Sequence, residues 1–148
     1  MDSVILILGW AGIVGPLVLG AVGSVYGCLM AGQAACGALL EVESGYGRYI
    51  GLSALPSSQT IYGIVVMFSL QRAVTLENAP ALAAIGILAG IGLLVSAKSQ
   101  GKAIASAVST SKHKPEVFGL TIAPAAIVEG FAVFVFVFAL VLSNGIAG

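Results

Sequence analysis

Glu129 is the single ionisable residue in the run "TIAPAAIVEGFAVFVFVFALVL", residues 121–142. A carboxylate at the centre of a membrane helix costs about 2.5–3.5 kcal/mol on insertion scales, so it must hold something. Ionised and unpaired it does not persist: either a cation sits beside it or a proton neutralises it. Glu129 is therefore read as the binding group for a monovalent cation or a proton. The plainer alternative is a structural acid, hydrogen-bonded and always protonated.

Other polar side chains are spaced to join it. In "LPSSQTIYG", Leu55, Ser58, Gln59 and Tyr62 stand at i, i+3, i+4 and i+7, which is one face of a helix. Gln100 lies fourteen residues before an expected turn at Lys114, and Glu129 fifteen after it. An antiparallel hairpin brings those two to nearly the same depth. Gln59 lies fourteen residues beyond Gly45, the expected turn of an earlier hairpin, so it reaches the same level. Oxygen count separates the two ions. A proton needs the carboxylate and one acceptor, whereas a hard cation needs its water shell replaced by several oxygens. Glu129, Gln59, Gln100, Ser58 and a backbone carbonyl freed near Pro56 supply enough for Na+, because proline removes a helical hydrogen bond. Gln59 and Gln100 taken alone would serve as ordinary interhelical hydrogen-bonding groups.

These side chains must be carried by helices that cross a membrane. The chain is 59% hydrophobic and 8% charged, where soluble domains carry about 25% charge. Its charges gather at Asp2, Glu41 to Arg48, Arg72 to Glu77, Lys98 to Glu116, and Glu129. Charge-free runs remain over Ser3–Leu40, Tyr49–Gln71, Asn78–Ala97 and, broken only by Glu129, Val117–Gly148. Each meets or exceeds the ~20 residues a spanning helix needs. The expected fold is an all-α membrane protein with four transmembrane helices.

The same composition excludes other classes. A cleavable signal peptide fits the N-terminus poorly, since no basic residue precedes a run that is too long. Cys28 and Cys36, two turns apart on one face of the first span, are read as small packing side chains rather than a disulfide or metal pair. A net charge of zero offers no nucleic-acid surface. Arg48, Lys98, Lys102, Lys112 and Lys114 fall on the side of the first and third loops, and only Arg72 on the other. The positive-inside bias puts those loops in the cytoplasm and both termini outside.

The spans read as two tandem helical hairpins, residues 1–72 and 73–148, linked around "RAVTLENAP", with Pro80 suited to the first turn of the third helix. "AGQAACGAL" lies over "QGKAIASAV", and "ALPSSQTIYG" over "AIVEGFAVFV", the pattern of an internal duplication. Gly20, Gly23, Gly27, Ala31 and Ala35 share one face of the first helix, and Gly86 and Gly90 repeat the device in the third. Small residues let helices approach closely in lipid, and so many of them point to self-association in a ring as well as to internal packing. As one helix, Ser3–Leu40 would be about 55 Å long, so a break or bend is expected at Gly15–Pro16. Lys98 and Lys102, opposite Gln100, are expected to snorkel towards the cytoplasmic surface or to meet neighbouring subunits. His113 in "SKHKPE" is read as a solvated loop residue or a contact for a soluble stalk.

Together, "LPSSQTIYG" in the second span, "SQGKA" in the third and "VEGFAV" in the fourth resemble the membrane-ring proteolipid of V/A-type rotary ATPases. In sodium-pumping bacterial members this proteolipid is called K, and the resemblance covers essentially the whole chain. It implies that Glu129 is the ion carboxylate, that Leu55 gives a backbone carbonyl and Ser58 a hydroxyl, that Gln59 and Gln100 give amide oxygens, and that Tyr62 stands nearby. It also implies that the first hairpin has no carboxylate of its own, Ser57 standing where a duplicated Glu would fall. Ser58 replaces the usual Thr, and Gly130-Phe131 stands where sodium-pumping relatives often have Thr and Tyr, which leaves Tyr62 alone to lock the carboxylate.

The implied role is that of a non-catalytic ring subunit with one Na+ or, as the alternative, one H+ on each copy, and with no cofactor. The implied partners are identical subunits, a stator membrane subunit supplying an arginine, a soluble central-stalk subunit and membrane lipid. In keeping with this, no G-x-x-x-x-G-K-[ST] motif is present. Two rivals are a small carboxylate-dependent antiporter, which would line a substrate cavity with aromatics around the acid, and an inert membrane scaffold.

Overall fold

The computed structural model describes residues 1–146. Its helices are α1 (Asp2–Ala38), the short α2 (Tyr46–Ser53), α3 (Ser58–Leu70), α4 (Ala79–Ser111) and α5 (Phe118–Ser143). Single 3-10 turns, Leu55–Ser57 and Pro115–Val117, lead into α3 and α5. Four segments are long and apolar enough to cross a membrane: Asp2–Ala38, Tyr46–Leu70, Ala79–Ser111 and Pro115–Ser143. Among the described residues there is no strand.

Local chemistry sets the boundaries. Gly45 takes a left-handed conformation, with φ of 75°, to turn the chain into α2. Pro56, which lacks an N–H, interrupts the second span and tightens it into the 3-10 turn before α3. Ahead of α4 the backbone N–H of Thr75 donates to Asn78 Oδ1 at 2.9 Å, and the N–H of Asn78 donates to Thr75 Oγ1 at 3.2 Å. This reciprocal pair closes the link between the two halves.

Glycine decides which helices meet. α1 runs parallel to α4 with Gly12 against Gly86 and Gly27 against Gly101, so closely that a methyl at Gly86 would strike the Gly12 carbonyl. α3 crosses the other side of α1 in the opposite direction, with Gly63 on the Pro16 carbonyl and Gly20 on the Gln59 carbonyl. α5 lies on α4 and leaves most of its surface exposed.

Two apolar clusters result. One, near the short loops, joins Ala31, Ala35, Tyr49, Leu52, Ile104 and Val108, and the other joins Ile13, Val66, Leu70, Leu82, Ala89 and Ala139. Between them along the bundle lie the buried side chains of Gln59 and Gln100.

Polar ties hold each end. At the short-loop end Lys112 Nζ meets Glu41 Oε1 at 2.6 Å, Tyr49 Oη donates to the Ser111 carbonyl at 3.2 Å, and the Arg48 guanidinium lies 4.8 and 4.9 Å from the Tyr49 and Phe118 ring centres. At the far end Arg72 donates to the carbonyls of Ser69, Ser143 and Ile146 at 2.9, 3.1 and 2.7 Å, tying α3 to the end of α5.

Two expectations are corrected. α1 runs unbroken from Asp2 to Ala38, so of the break or bend expected at Gly15–Pro16 the break does not occur. Pro16 frees the carbonyl four residues earlier, that of Gly12, and this carbonyl faces Gly86 of α4. There a glycine leaves room for a Cα–H to approach it. Cys28 is half-buried but Cys36 is exposed, so packing within the subunit does not account for Cys36; both are free.

Candidate ion-binding site

The site forms where α3, α4 and α5 pass one another at mid-length. Glu129 sits near the middle of α5, one turn beyond Pro124, and is half-buried. Tyr62 Oη donates to its Oε1 at 3.0 Å, and Gln100 Nε2 donates to its Oε2 at 2.7 Å. Gln100 Nε2 also lies 3.4 Å from the Ala125 carbonyl, one helical turn before Glu129. Charge-assisted bonds of this kind are about twice as strong as neutral ones.

The network continues inward. Gln59 Nε2 donates to Gln100 Oε1 at 3.1 Å and lies 3.5 Å from Ser96 Oγ. Ser58 Oγ is 3.2 Å from Gln59 Oε1 and 3.1 Å from the Leu55 carbonyl in the 3-10 turn. Leu55, Ser58, Gln59, Tyr62, Gln100 and Glu129 are thus joined in one chain of hydrogen bonds. Gln59 and Gln100 are fully buried, with 0% exposure. A buried amide left without partners would cost about 1–3 kcal/mol, so the pair is held in register by its own satisfaction.

One detail differs from the sequence reading, and Phe131 and Ser57 stand outside the network as that reading has them. Tyr62 does not lock the carboxylate alone, because Gln100 supplies a second donor. Phe131 is exposed and packs edge-on against Phe134, with ring centres 6.4 Å apart. Ser57 donates to the Ala54 carbonyl at 2.7 Å and takes no part in the network.

Two further contributors emerge from the fold. Ser96 Oγ donates to the Val128 carbonyl at 3.1 Å, pinning α5 one residue before Glu129. Its signal in the sequence is position i−4 from Gln100 on the same face. Phe136 stacks on Tyr62 with ring centres 5.2 Å apart and holds the phenol beside the acid. Its signal is position i+7 from Glu129.

The remaining polar candidates lie elsewhere. Lys98 and Lys102 are exposed on α4, away from Gln100, with the Lys98 ammonium 5.4 Å from the centre of the Tyr26 ring. His113 is exposed in the loop, its Nε2 3.8 Å from Glu41 Oε2.

Comparison with known proteins gives the chain its relatives. The family profile of the ATP synthase C subunit matches the chain twice, over residues 10–70 and 83–142. The chain is 33% identical over 129 residues to the A-type ATP synthase subunit K of Methanocaldococcus jannaschii. That alignment takes in 84% of this chain, which spans 59% of the relative's length. The two profile matches together take in most of the sequence and include every residue of the network around Glu129. The chain belongs to the ATP synthase C subunit family.

Proposed function

We propose that this chain is the rotor-ring proteolipid of a V/A-type rotary ATPase, and that each copy carries one Na+ on Glu129. The double family match and the subunit K relative support the ring role. One observation carries the choice of ion: both carboxylate oxygens of Glu129 accept hydrogen bonds, one from Tyr62 and one from Gln100. A carboxyl group holding a proton has to aim its O–H at an acceptor. Two donors aimed at the two oxygens suit the anionic form, whose charge is then balanced by a cation.

The same network brings in the Leu55 carbonyl, the Ser58 hydroxyl and the amide oxygens of Gln59 and Gln100. These are hard, neutral oxygens of the kind that replace the hydration shell of Na+. One carboxylate among neutral ligands matches one positive charge, and the loaded site is neutral overall. A neutral site can travel past lipid, whereas a bare carboxylate cannot.

In this reading Na+ reaches Glu129 from a half-channel in a stator membrane subunit, the ring turns, and an arginine of the stator displaces the ion at the exit. Each unit charge crossing is worth about 2.3 kcal/mol per 100 mV. A soluble central-stalk subunit passes the rotation to ATP turnover elsewhere, so this chain is a non-catalytic subunit. The hairpins 1–72 and 73–148 are duplicated units of which the second holds the carboxylate, a division supported by the double family match. The hairpin loops lie in the cytoplasm and both termini outside, as the grouping of Arg48, Lys112 and Lys114 opposite Arg72 favours.

Proton transport by the same ring is the second reading. Phe131, which offers no donor beside the acid, favours it. The antiporter is less well supported. The apolar cavity beside the site, about 460 Å³ between α4 and α5, is lined by Ser96, Val128 and a single aromatic, Phe131, and does not take in Glu129.

The test is ATP-driven uptake of radiolabelled sodium into vesicles holding the assembled complex. The complex is expected to accumulate sodium, and Glu129→Gln to abolish uptake while the ring still assembles. Undiminished sodium uptake by Glu129→Gln contradicts the proposal, and uptake of protons unaffected by sodium selects the second reading.

A further inference from the structure

The two halves of the chain line up residue by residue at the level of the ion site. The shift that carries Ser57 onto Glu129 also carries residue 70, where the first family match ends, onto residue 142, where the second ends. It lays Gln59 on Phe131, Tyr62 on Phe134, Ser24 on Ser96 and Cys28 on Gln100. For α1 and α4 this register stands about one helical turn from the overlay of "AGQAACGAL" on "QGKAIASAV". Burial agrees with it. Ser24 and Ser96 are 6% and 7% exposed. Ser96 donates to the Val128 carbonyl of α5, and Ser24 lies between Gly20 and Gly27, which rest on Gln59 and Pro56 of the second span. The carbonyl equivalent to that of Val128 is Pro56's, inside the 3-10 turn, and Ser24 Oγ has no hydrogen-bond partner among the described residues.

The ion site is built across the boundary between the halves. The first half gives Gln59 and Tyr62, and the second gives Ser96, Gln100 and Glu129. In a ring the halves alternate, so an equivalent boundary recurs wherever one copy meets the next. There the second half gives Phe131 and Phe134, and the first half of the next copy gives Ser24, Cys28 and Ser57. Exposure follows this division. Phe131 and Phe134 are 63% and 61% exposed and Ser57 is exposed, whereas Gln59 is buried and Tyr62 half-buried. The open groove beside Phe131, about 460 Å³, has a largely apolar wall that includes Ile91, Gly92, Val95 and Val135.

We propose that an uncharged counterpart of the ion site lies at each contact between copies, formed by Ser24, Cys28 and Ser57 of one copy and sealed by Phe131 and Phe134 of its neighbour. The inference rests on the ring reading. Hydroxyls, a thiol and phenyl rings stand there in place of the carboxylate and the amides, so the contact offers a hard cation no charge and too few oxygens. The phenyl rings take up the space that Gln59 and Tyr62 fill in the ion site and exclude water from it. Neighbouring copies are thereby kept dry at the level where Glu129 is loaded and unloaded, and an ion held on Glu129 has no path between them.

The test treats the assembled complex with a short bifunctional maleimide and reads subunit mass on a denaturing gel. Gln59 meets Gln100 at 3.1 Å and Tyr62 meets Glu129 at 3.0 Å, so cysteines at the equivalent positions are expected within the reagent's reach. The first pair is Phe131→Cys with the native Cys28, in a Cys36→Ser background. The second is Phe134→Cys with Ser57→Cys, in a background of Cys28→Ser and Cys36→Ser. Each pair is expected to give a ladder of dimers, trimers and larger species, and Cys28→Ser to abolish the first ladder. Monomers alone from both pairs, or a first ladder that survives Cys28→Ser, overturn the proposal. A water-soluble thiol reagent is expected to reach Cys28 about tenfold faster in Phe131→Ala than in the unaltered chain, and equal rates overturn the seal. Oligomer size in mild detergent is read separately: a small species counts against the ring, and a large ring whose pairs stay monomeric counts against this contact alone.

Discussion

Gln100 of α4 donates to Glu129 of α5 across 2.7 Å, while its own carbonyl oxygen accepts from Gln59 of α3 at 3.1 Å. One amide therefore orients the carboxylate and sets the spacing of three helices. Replacing Gln100 by Leu removes both the donor and the amide oxygen proposed as a sodium ligand. A hydrogen bond to a charged group is worth about 1.5–3 kcal/mol, so sodium affinity is expected to fall by about 10–100-fold. Sodium titration of the purified ring checks this, and unchanged affinity would remove Gln100 from the site.

Tyr62 supplies the second donor, and its ring stacks on Phe136. Tyr62→Phe keeps the stack and deletes only the hydroxyl. Ion exchange is expected to quicken by about tenfold, the equivalent of roughly 1.4 kcal/mol, with ring assembly unaffected. Rapid-mixing measurements of sodium release test it.

Gly86 marks the closest passage of α1 and α4, where an added methyl would meet the Gly12 backbone, whereas Gly119 faces open space. Gly86→Ala is expected to destabilise the subunit by about 1–3 kcal/mol through overpacking. Gly119→Ala is expected to be neutral or mildly stabilising, since alanine favours helix over glycine by about 1 kcal/mol. Thermal unfolding of the two variants in detergent distinguishes them.

At the short-loop end, the hydrogen bond from Lys112 holds the Glu41 carboxyl below its ordinary range, helped by the charges of Lys112 and His113 and opposed by partial desolvation. A lowered carboxyl stabilises the fold above its ordinary value, about 4.3. That contribution is lost as pH falls through the lowered value. Because Glu41 is solvent-exposed the effect is small. Wild type is expected to melt slightly above Glu41→Gln at neutral pH, and the difference to close in acid.

Much of the site is legible in the sequence because a membrane allows few places for polar side chains. Glu129, Gln59 and Gln100 stand out against hydrocarbon, and counting from the turns at Gly45 and Lys114 places them level. Helical spacing finds Tyr62, and the motif around Pro56 finds Leu55. Ser96 is harder to see, because a lone serine in an alanine-rich helix has no visible task until the opposing carbonyl of Val128 is in place. The break expected at Pro16 fails for a related reason. Proline frees a carbonyl, but whether the helix breaks depends on what faces that carbonyl, and Gly86 is remote in sequence.

Carbodiimide labelling of Glu129 in the purified ring, followed across pH with and without sodium, tests the central claim most directly. The reagent attacks the protonated acid, and a bound cation blocks it. Sodium is predicted to slow labelling at every fixed pH and to shift the labelling curve to lower pH as its concentration rises. Labelling that falls with alkalinity yet ignores sodium would contradict a sodium site on Glu129.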